Sequence, residues 1–419
     1  MLYRFFHVLV SFSLRIFFRK IEIYGEEVIK PGVTQILASN HPSGFLEPLL
    51  MACFFPRPLY FLVRGDVFEN KFLKPILVGT HQLPIYRFKD GFSKLRENKS
   101  SLQAASDVLL EKKCILIFAE GSTKSIKMVR PLQKGFVRLA SDTLLRNPKN
   151  NIEIVPVGIN FSDSRKFRGE VMIRVGKPIT LKAEMFDSSV SNVGQNTSYL
   201  LENVHLQLKK NVIHLEKQTR LHLMEDMFLL AKIKHERKPF PKLVANDHFL
   251  QVSKVIAQQT DNLEEDEYNE WKSKLNVWKK QLNKKNISLE KLSKLKPRFW
   301  EYVVLILGFI PAILGLFFHC IPLGVAYVFT RTNVKSKEFY GSVWFVANIV
   351  TILVFYIVLI VLSLTGVLPL YVIPLVGFTG YFAQYYYEVL TCFQWSNDSH
   401  LMQERKTGLT YYQQYIQYS

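Results

Sequence analysis

Cysteine is scarce in this 419-residue sequence: Cys53, Cys114, Cys320 and Cys392 are the only four, and they lie far apart. No Cys-x-x-Cys pair and no short Cys/His spacing occurs. That argues against a zinc site and a disulfide framework, and it fits a reducing compartment. No metal and no prosthetic group is expected. Internal repeats and low-complexity stretches are absent. Acidic residues are few beside basic ones, 35 against 54, so the formal charge is +19 and the pI about 9.6. A surplus of that size predicts an anionic partner: nucleic acid, an acidic membrane surface or a phosphorylated substrate. No interleaved aromatic and basic module is present, so no nucleic-acid partner is expected. The apolar share is 48%, much of it near the C-terminus, and that favours membrane lipids as the partner.

Charge is missing altogether from two long stretches. Tyr302–Thr330 and Phe339–Tyr387 contain no Asp, Glu, Lys or Arg. The second is long enough for two crossings with a turn near Gly366–Pro369. The first is interrupted by Gly308, Pro311, Gly315, Pro322 and Gly324. It is either re-entrant or a full crossing. Basic residues flank it on both sides, Lys294, Lys296 and Arg298 before and Arg331, Lys335 and Lys337 after. Positive flanks mark the cytoplasmic side and favour the re-entrant form. His319 lies inside this span.

The rest of the chain divides by composition. Residues 1–20 are apolar but carry Arg4, Arg15, Arg19 and Lys20. The run is too short to cross a bilayer, and no small-residue cleavage site follows. It predicts a helix lying in the membrane interface. Residues 21–182 alternate strand-like and helix-like segments, with strands expected at Val33–Ser39, Leu59–Val63, Cys114–Phe118, Ile152–Ile159 and Val171–Gly176 and a helix over Gly91–Lys112. That alternation implies an α/β domain with a central mixed or mostly parallel sheet flanked by helices. Residues 183–298 are charged, helical in pattern and poor in strand signals. Residues 299–395 form the transmembrane region, and 396–419 a C-terminal tail. The whole is expected to be an integral membrane protein with its α/β domain on the cytoplasmic face.

The candidate chemistry lies where the first apolar run ends. Ser39-Asn40-His41-Pro42-Ser43-Gly44-Phe45-Leu46-Glu47 places one imidazole and one carboxylate six positions apart at a strand-to-helix turn. A neutral imidazole suits proton abstraction near neutral pH, and a carboxylate on its far nitrogen fixes the tautomer. His41 is therefore the candidate base and Glu47 its partner. No Gly-x-Ser-x-Gly elbow is present, so no matching serine nucleophile is expected beside His41. His81 reads as a core or surface histidine.

Three further blocks follow: Gly79-Thr80-His81-Gln82-Leu83-Pro84-Ile85-Tyr86-Arg87, Ile117-Phe118-Ala119-Glu120-Gly121-Ser122-Thr123-Lys124-Ser125, and Ile154-Val155-Pro156-Val157-Gly158. With the His41 block, in this order and spacing, the chain resembles the glycerolipid acyltransferase family of phosphatidate synthesis. The resemblance covers about residues 35–160. Two departures stand out. The family pattern is His, four residues, Asp; here five residues intervene and the acid is Glu47. Such spacing resembles a variant in some glycerol-3-phosphate acyltransferases of fungi and related bacterial proteins. In the third block Ala119 replaces a proline, and no arginine directly follows Ser122-Thr123.

The resemblance implies a membrane-bound O-acyltransferase that needs no cofactor. Its donor would be acyl-CoA or acyl carrier protein, and its acceptor glycerol 3-phosphate or 1-acylglycerol 3-phosphate. It implies that Arg87 binds the acceptor's phosphate and that Glu120, Gly121 and Ser122 surround the glycerol backbone. Lys124 and Arg130 become candidates for further phosphate contacts, and Pro156 for the acyl site. Another lipid acceptor, such as an aminolipid or lysophospholipid, uses the same scaffold. A catalytically dead membrane scaffold is the reading from a different class.

Overall fold

The computed structural model of the chain describes residues 2–86, 92–189, 192–234, 242–293, 297–393 and 399–417. The chain divides into two compact units, Met1–His214 with Lys242–Leu250, and Leu215–Pro241 with Gln251–Ser419.

The first unit is built on one sheet of nine strands: β1 (Phe18–Tyr24), β2 (Gln35–Ser39), β3 (Leu59–Arg64), β4 (Gln82–Ile85), β5 (Cys114–Phe118), β6 (Ile152–Phe161), β7 (Gly169–Val175), β8 (Ile179–Leu181) and β9 (Lys242–Val244). The order is β4-β3-β5-β2-β6-β7-β1-β9, with β8 also on β6. The strands from β4 to β6 are mutually parallel; β7 and β8 pair antiparallel with β6, and β1 and β9 continue parallel to β7. The sheet is thus mixed and mostly parallel. Its helices are α1 (Leu2–Phe17), α2 (Leu46–Phe54), α3 (Lys74–Gly79), α4 (Phe92–Leu110), α5 (Gly135–Arg146) and α6 (Val193–Asn211).

The central strands are uninterrupted apolar runs because both faces are covered. Ile36, Ile115 and Ile154 pack under α4, α5 and α6 through Leu109, Phe136, Ala140 and Val204. Their neighbours Leu37, Leu116 and Val155 point to the opposite face and are equally buried. The connection from β2 through α2 to β3 and that from β5 through α5 to β6 run in opposite directions along the sheet. Right-handed crossovers therefore put α2 and α5 on opposite faces. A crevice results at the carboxyl ends of the adjacent strands β2 and β5, the usual place for a site in such sheets.

Local differences from the sequence expectations have simple causes. The N-terminal helix ends at Phe17, not Lys20, because Phe18–Tyr24 pair with Gly169–Arg174 of β7. The region 183–298 contributes a strand after all: β9 pairs in parallel with β1.

The second unit holds α7 (Leu221–Ala231), the bulk of α8 (His248–Asn262), α9 (Glu265–Lys284), α10 (Leu289–Leu292), α11 (Phe299–Leu307), α12 (Phe309–Asn333), α13 (Lys337–Leu364), α14 (Val372–Cys392) and α15 (Ser399–Gln417). The expected tail is thus a helix, α15. One face of α9 buries Tyr268, Trp271, Leu275, Trp278 and Leu282, spaced at helical intervals. Trp278 Nε1 and Lys285 Nζ both donate to the Glu404 carboxylate of α15, each at 2.7 Å.

Two helices, α12 and α13, are long and apolar enough to cross a membrane. α13 ends beside Gly366, in a left-handed turn where the sequence placed one. Tyr386 OH donates to Leu305 O at 3.2 Å, and Gly315 lies against Thr379. Later residues of α11 and α12 thus meet earlier residues of α14, so the two run antiparallel. Three successive crossings by α12, α13 and α14 would make α12 and α14 parallel.

Candidate active site

β2 delivers Asn40 and His41 to the crevice. The Asn40 side chain behaves like one more peptide of the β2–β6 ladder: Nδ2 donates to Ile159 O at 2.9 Å, and Oδ1 accepts from Ile159 N at 2.8 Å. That fixes where His41 leaves the sheet. The His41 ring stacks on Phe118, the last residue of β5, with centroids 3.9 Å apart and planes 10° from parallel. His41 Nδ1 lies 3.4 Å from Glu47 Oε1. An acceptor there favours the tautomer with the proton on Nδ1, which leaves the Nε2 lone pair for chemistry. Nε2 has no partner among the described residues.

Glu47 is fully buried in the first turn of α2. Its Oε1 also accepts the Ser43 N–H, while Oε2 has no partner among the described residues. Burial pushes the Glu47 carboxyl above its ordinary range, against the pull of His41 and the Ser43 N–H. The N–H groups of the first helical turn also favour a carboxylate here.

The third block wraps the peptide of His41. Gly121 turns the chain at φ 72°, where a side chain would be strained. Glu120 Oε2 accepts the His41 N–H at 3.4 Å, and the Lys124 N–H donates to His41 O at 3.0 Å. Both polar groups of the His41 backbone are thus held by this turn. Glu120 is itself clamped: Arg130 donates from Nε at 3.1 Å and Nη2 at 2.7 Å to Oε2, and from its backbone N–H at 3.0 Å to Oε1. Arg130 Nη1 reaches Ser122 Oγ at 2.6 Å.

The structure therefore brings His41, Glu47, Glu120, Ser122, Lys124 and Arg130 into one hydrogen-bonded set. Within it, the Arg130 guanidinium is engaged by Glu120 and Ser122, and the Lys124 side chain is exposed. Pro156 sits on β6 opposite Ala38, its carbonyl accepting from Gly176 N at 2.8 Å and Asn211 Nδ2 at 3.1 Å. Arg87 lies outside the described residues.

Several contributors carried no sequence signal. Asn40 lies in the first block, but its bond to Ile159 spans 119 positions. His214 Nδ1 accepts the Val129 N–H at 3.0 Å, steadying the segment that supplies Arg130. On α6, burial and Lys209 push the His205 imidazole below its ordinary pKa while Glu120 opposes them, which puts His205 within electrostatic reach of the site. Among the described residues no group of three His, Cys, Asp or Glu could hold a metal ion.

The set can take a proton from a hydroxyl at His41 Nε2 and stabilise the resulting imidazolium through Glu47. Comparisons with known proteins bear on that chemistry. The acyltransferase family model matches residues 20–160. Glycerol-3-phosphate O-acyltransferase 2 of Saccharomyces cerevisiae is 24% identical over 108 residues, 26% of this chain and 14% of its own length. Glycerol-3-phosphate O-acyltransferase 1 of the same yeast is 32% identical over 77 residues, 18% of this chain and 10% of its own. This chain thus matches only a small part of either relative. Among solved structures, the 1-acyl-sn-glycerophosphate (LPA) acyltransferase of Thermotoga maritima is similar at a TM-score of 0.35 and 15% identity, over 48% of this chain and 78% of that one. The stretch that holds His41, Glu47 and Glu120 is the stretch the family model covers, and over those residues the chain is similar to the acyltransferase family.

Proposed function

We propose that the protein moves a fatty acyl group from an acyl thioester, acyl-CoA or acyl carrier protein, to a hydroxyl of glycerol 3-phosphate or 1-acylglycerol 3-phosphate. The pairing of His41 Nδ1 with the buried Glu47 carboxylate at 3.4 Å is the observation that carries the reading. Nε2 takes the acceptor's hydroxyl proton as the oxygen attacks the thioester carbonyl. The tetrahedral intermediate then collapses, the C–S bond breaks, and the imidazolium returns the proton to the leaving thiolate. Glu47 stabilises the imidazolium throughout. Glu120 and Lys124 keep the His41 peptide from shifting as charge develops. Exposed Lys124 and the rim of Arg130 add positive potential at the mouth, which suits a phosphorylated acceptor. The yeast relatives are named for the same acceptor class. In this reading α12 and α13 hold the protein in the bilayer from which the lipid substrates come, with the α/β domain on the cytoplasmic face.

Purified full-length protein in nanodiscs, given labelled acyl-CoA or acyl carrier protein, should acylate a phosphorylated glycerol acceptor and not its dephosphorylated analogue. His41→Ala should lower the rate by roughly 10²- to 10⁴-fold, the usual contribution of a general base. Absence of transfer from either donor to either acceptor, or full activity in His41→Ala, would overturn the proposal.

A further inference from the structure

Between β5 and α5 the chain runs from 119 to 134 without a helix or strand. This irregular stretch carries Glu120, Ser122, Lys124 and Arg130, so its shape decides the shape of the site. A segment with no ladder must satisfy its buried N–H groups elsewhere. Val129 is 4% exposed, and its N–H donates to His214 Nδ1 at 3.0 Å. An acceptor at Nδ1 sets the His214 proton on Nε2, the opposite tautomer to the one that Glu47 favours at His41.

His214 comes from a firmly held stretch just past α6. The Ile213 N–H donates to Asn160 Oδ1 at 2.7 Å, and Asn160 Nδ2 donates to Asn211 O at 3.2 Å. Asn211 Nδ2 in turn reaches Pro156 O at 3.1 Å. Asn211, Val212 and Ile213 are all buried. Gly158 lets this stretch lie directly on β6, where a Cβ would stand 2.2 Å from Asn211 O.

The same strand holds the base. Ile159, next to Asn160, binds the Asn40 side chain by two hydrogen bonds. Two successive residues of β6 thus fix the neighbours of both histidines, Asn40 beside His41 and Ile213 beside His214. On the far side, the His41 N–H donates to Glu120, and Glu120 accepts the N–H of Arg130, the residue after Val129. The hydrogen bonds therefore close into a ring. It runs from His41 through Glu120 to the Val129–Arg130 pair, across His214 to β6, and back through Asn40. Lys127 Nζ also donates to β6, at Phe161 O, but through a flexible four-carbon stem. His214 is the stiff link.

We infer that His214 is a positioning residue for acyl transfer, which keeps this ring closed and so holds the His41 peptide where Nε2 meets the acceptor hydroxyl. Its part in turnover rests on the proposed acyl transfer; its hold on the His41 peptide rests on the ring alone. The functional part of the chain then extends past residue 160, where the family-model match ends.

The test compares wild type, His214→Asn and His214→Leu as full-length proteins in nanodiscs. Asparagine places Oδ1 where Nδ1 stands and keeps an acceptor for the Val129 N–H. Leucine keeps bulk and offers no acceptor. In acyl transfer, kcat should stay within about threefold of wild type in His214→Asn and fall roughly tenfold or more in His214→Leu. Amide hydrogen exchange, read by mass spectrometry, gives a measure independent of turnover. In His214→Leu, exchange should quicken both in residues 126–133 and across the ring in residues 39–43, and in His214→Asn in neither. If His214→Leu fails to fold, His214→Gln, whose amide oxygen stands one bond further out, takes its place. Unchanged kcat in the variant without the acceptor would overturn the inference. Equal losses in His214→Asn and His214→Leu, or faster exchange confined to 126–133, would do the same. Absence of transfer by wild type would count instead against the proposed function, and the exchange pattern would still decide whether His214 holds the His41 peptide.

Discussion

Glu47→Gln separates a catalytic carboxylate from a structural one, because the two roles move activity and stability in opposite directions. Glutamine keeps the shape of the side chain and an oxygen for the Ser43 N–H. It loses the charge that faces His41 Nδ1 at 3.4 Å. At that distance and an effective dielectric near 20, an imidazolium–carboxylate pair is worth about 5 kcal/mol. The amide dipole recovers part of this, so the transition state should lose about 2–4 kcal/mol, or roughly 30- to 1,000-fold in kcat. Stability should go the other way. Burial raises the Glu47 pKa in the folded state above 4.5. Between the unfolded and folded values the native state binds more protons, so stability falls as pH rises through that window and stays lowered above it. Wild type therefore carries a cost at pH 8 that the glutamine variant lacks, and the cost vanishes toward pH 4.

The assay is paired: steady-state acyl transfer at pH 8, and thermal unfolding at pH 4 and pH 8 in the same nanodiscs. Slower turnover with a higher Tm at pH 8, and a Tm gap that closes at pH 4, is the expected pattern. An unchanged kcat would refute Glu47 as the partner of His41. A lower Tm at pH 8 would refute the view that its buried charge is a burden, and would make the carboxylate a brace for the turn at Ser43.

Three further outcomes follow from particular contacts. Arg130→Lys removes the fork that grips Glu120 and so loosens the His41 peptide; kcat/KM should fall roughly ten- to a hundredfold, while Arg130→Gln should fall further. Gly158→Ala would place a Cβ 2.2 Å from Asn211 O, so thermal unfolding should show a loss of about 3 kcal/mol or more as the end of α6 is pushed off β6. Cysteines placed at the exposed Asp266 and Lys406 should react alike with an impermeant maleimide in sealed vesicles, because α15 packs on α9 and α14 runs back along α11 and α12; opposite accessibility would refute that arrangement.

What could be read from the chain follows from where its partners lie. β5 matches its expected span, Cys114–Phe118, residue for residue, and β2, β3, β6 and β7 lie within two residues of theirs at each end, because strands buried on both faces announce themselves by unbroken apolar runs. β1 was hidden, since its first residues continue an apolar helical pattern and only pairing with β7, some 150 positions away, makes them extended. β9 has three residues and no local pattern at all. The same division runs through the site. His41 and Glu47 stand on one turn, so their pairing could be read from spacing. The grip of Arg130 on Glu120 could not, because ten positions and a left-handed glycine separate them and no local pattern marks the pair. The consequence is chemical. A guanidinium already bound by a carboxylate offers a phosphate only part of its charge, so under the proposed function phosphate recognition would fall largely to exposed cations such as Lys124, while Arg130 would hold Glu120 and, through it, the His41 peptide in place.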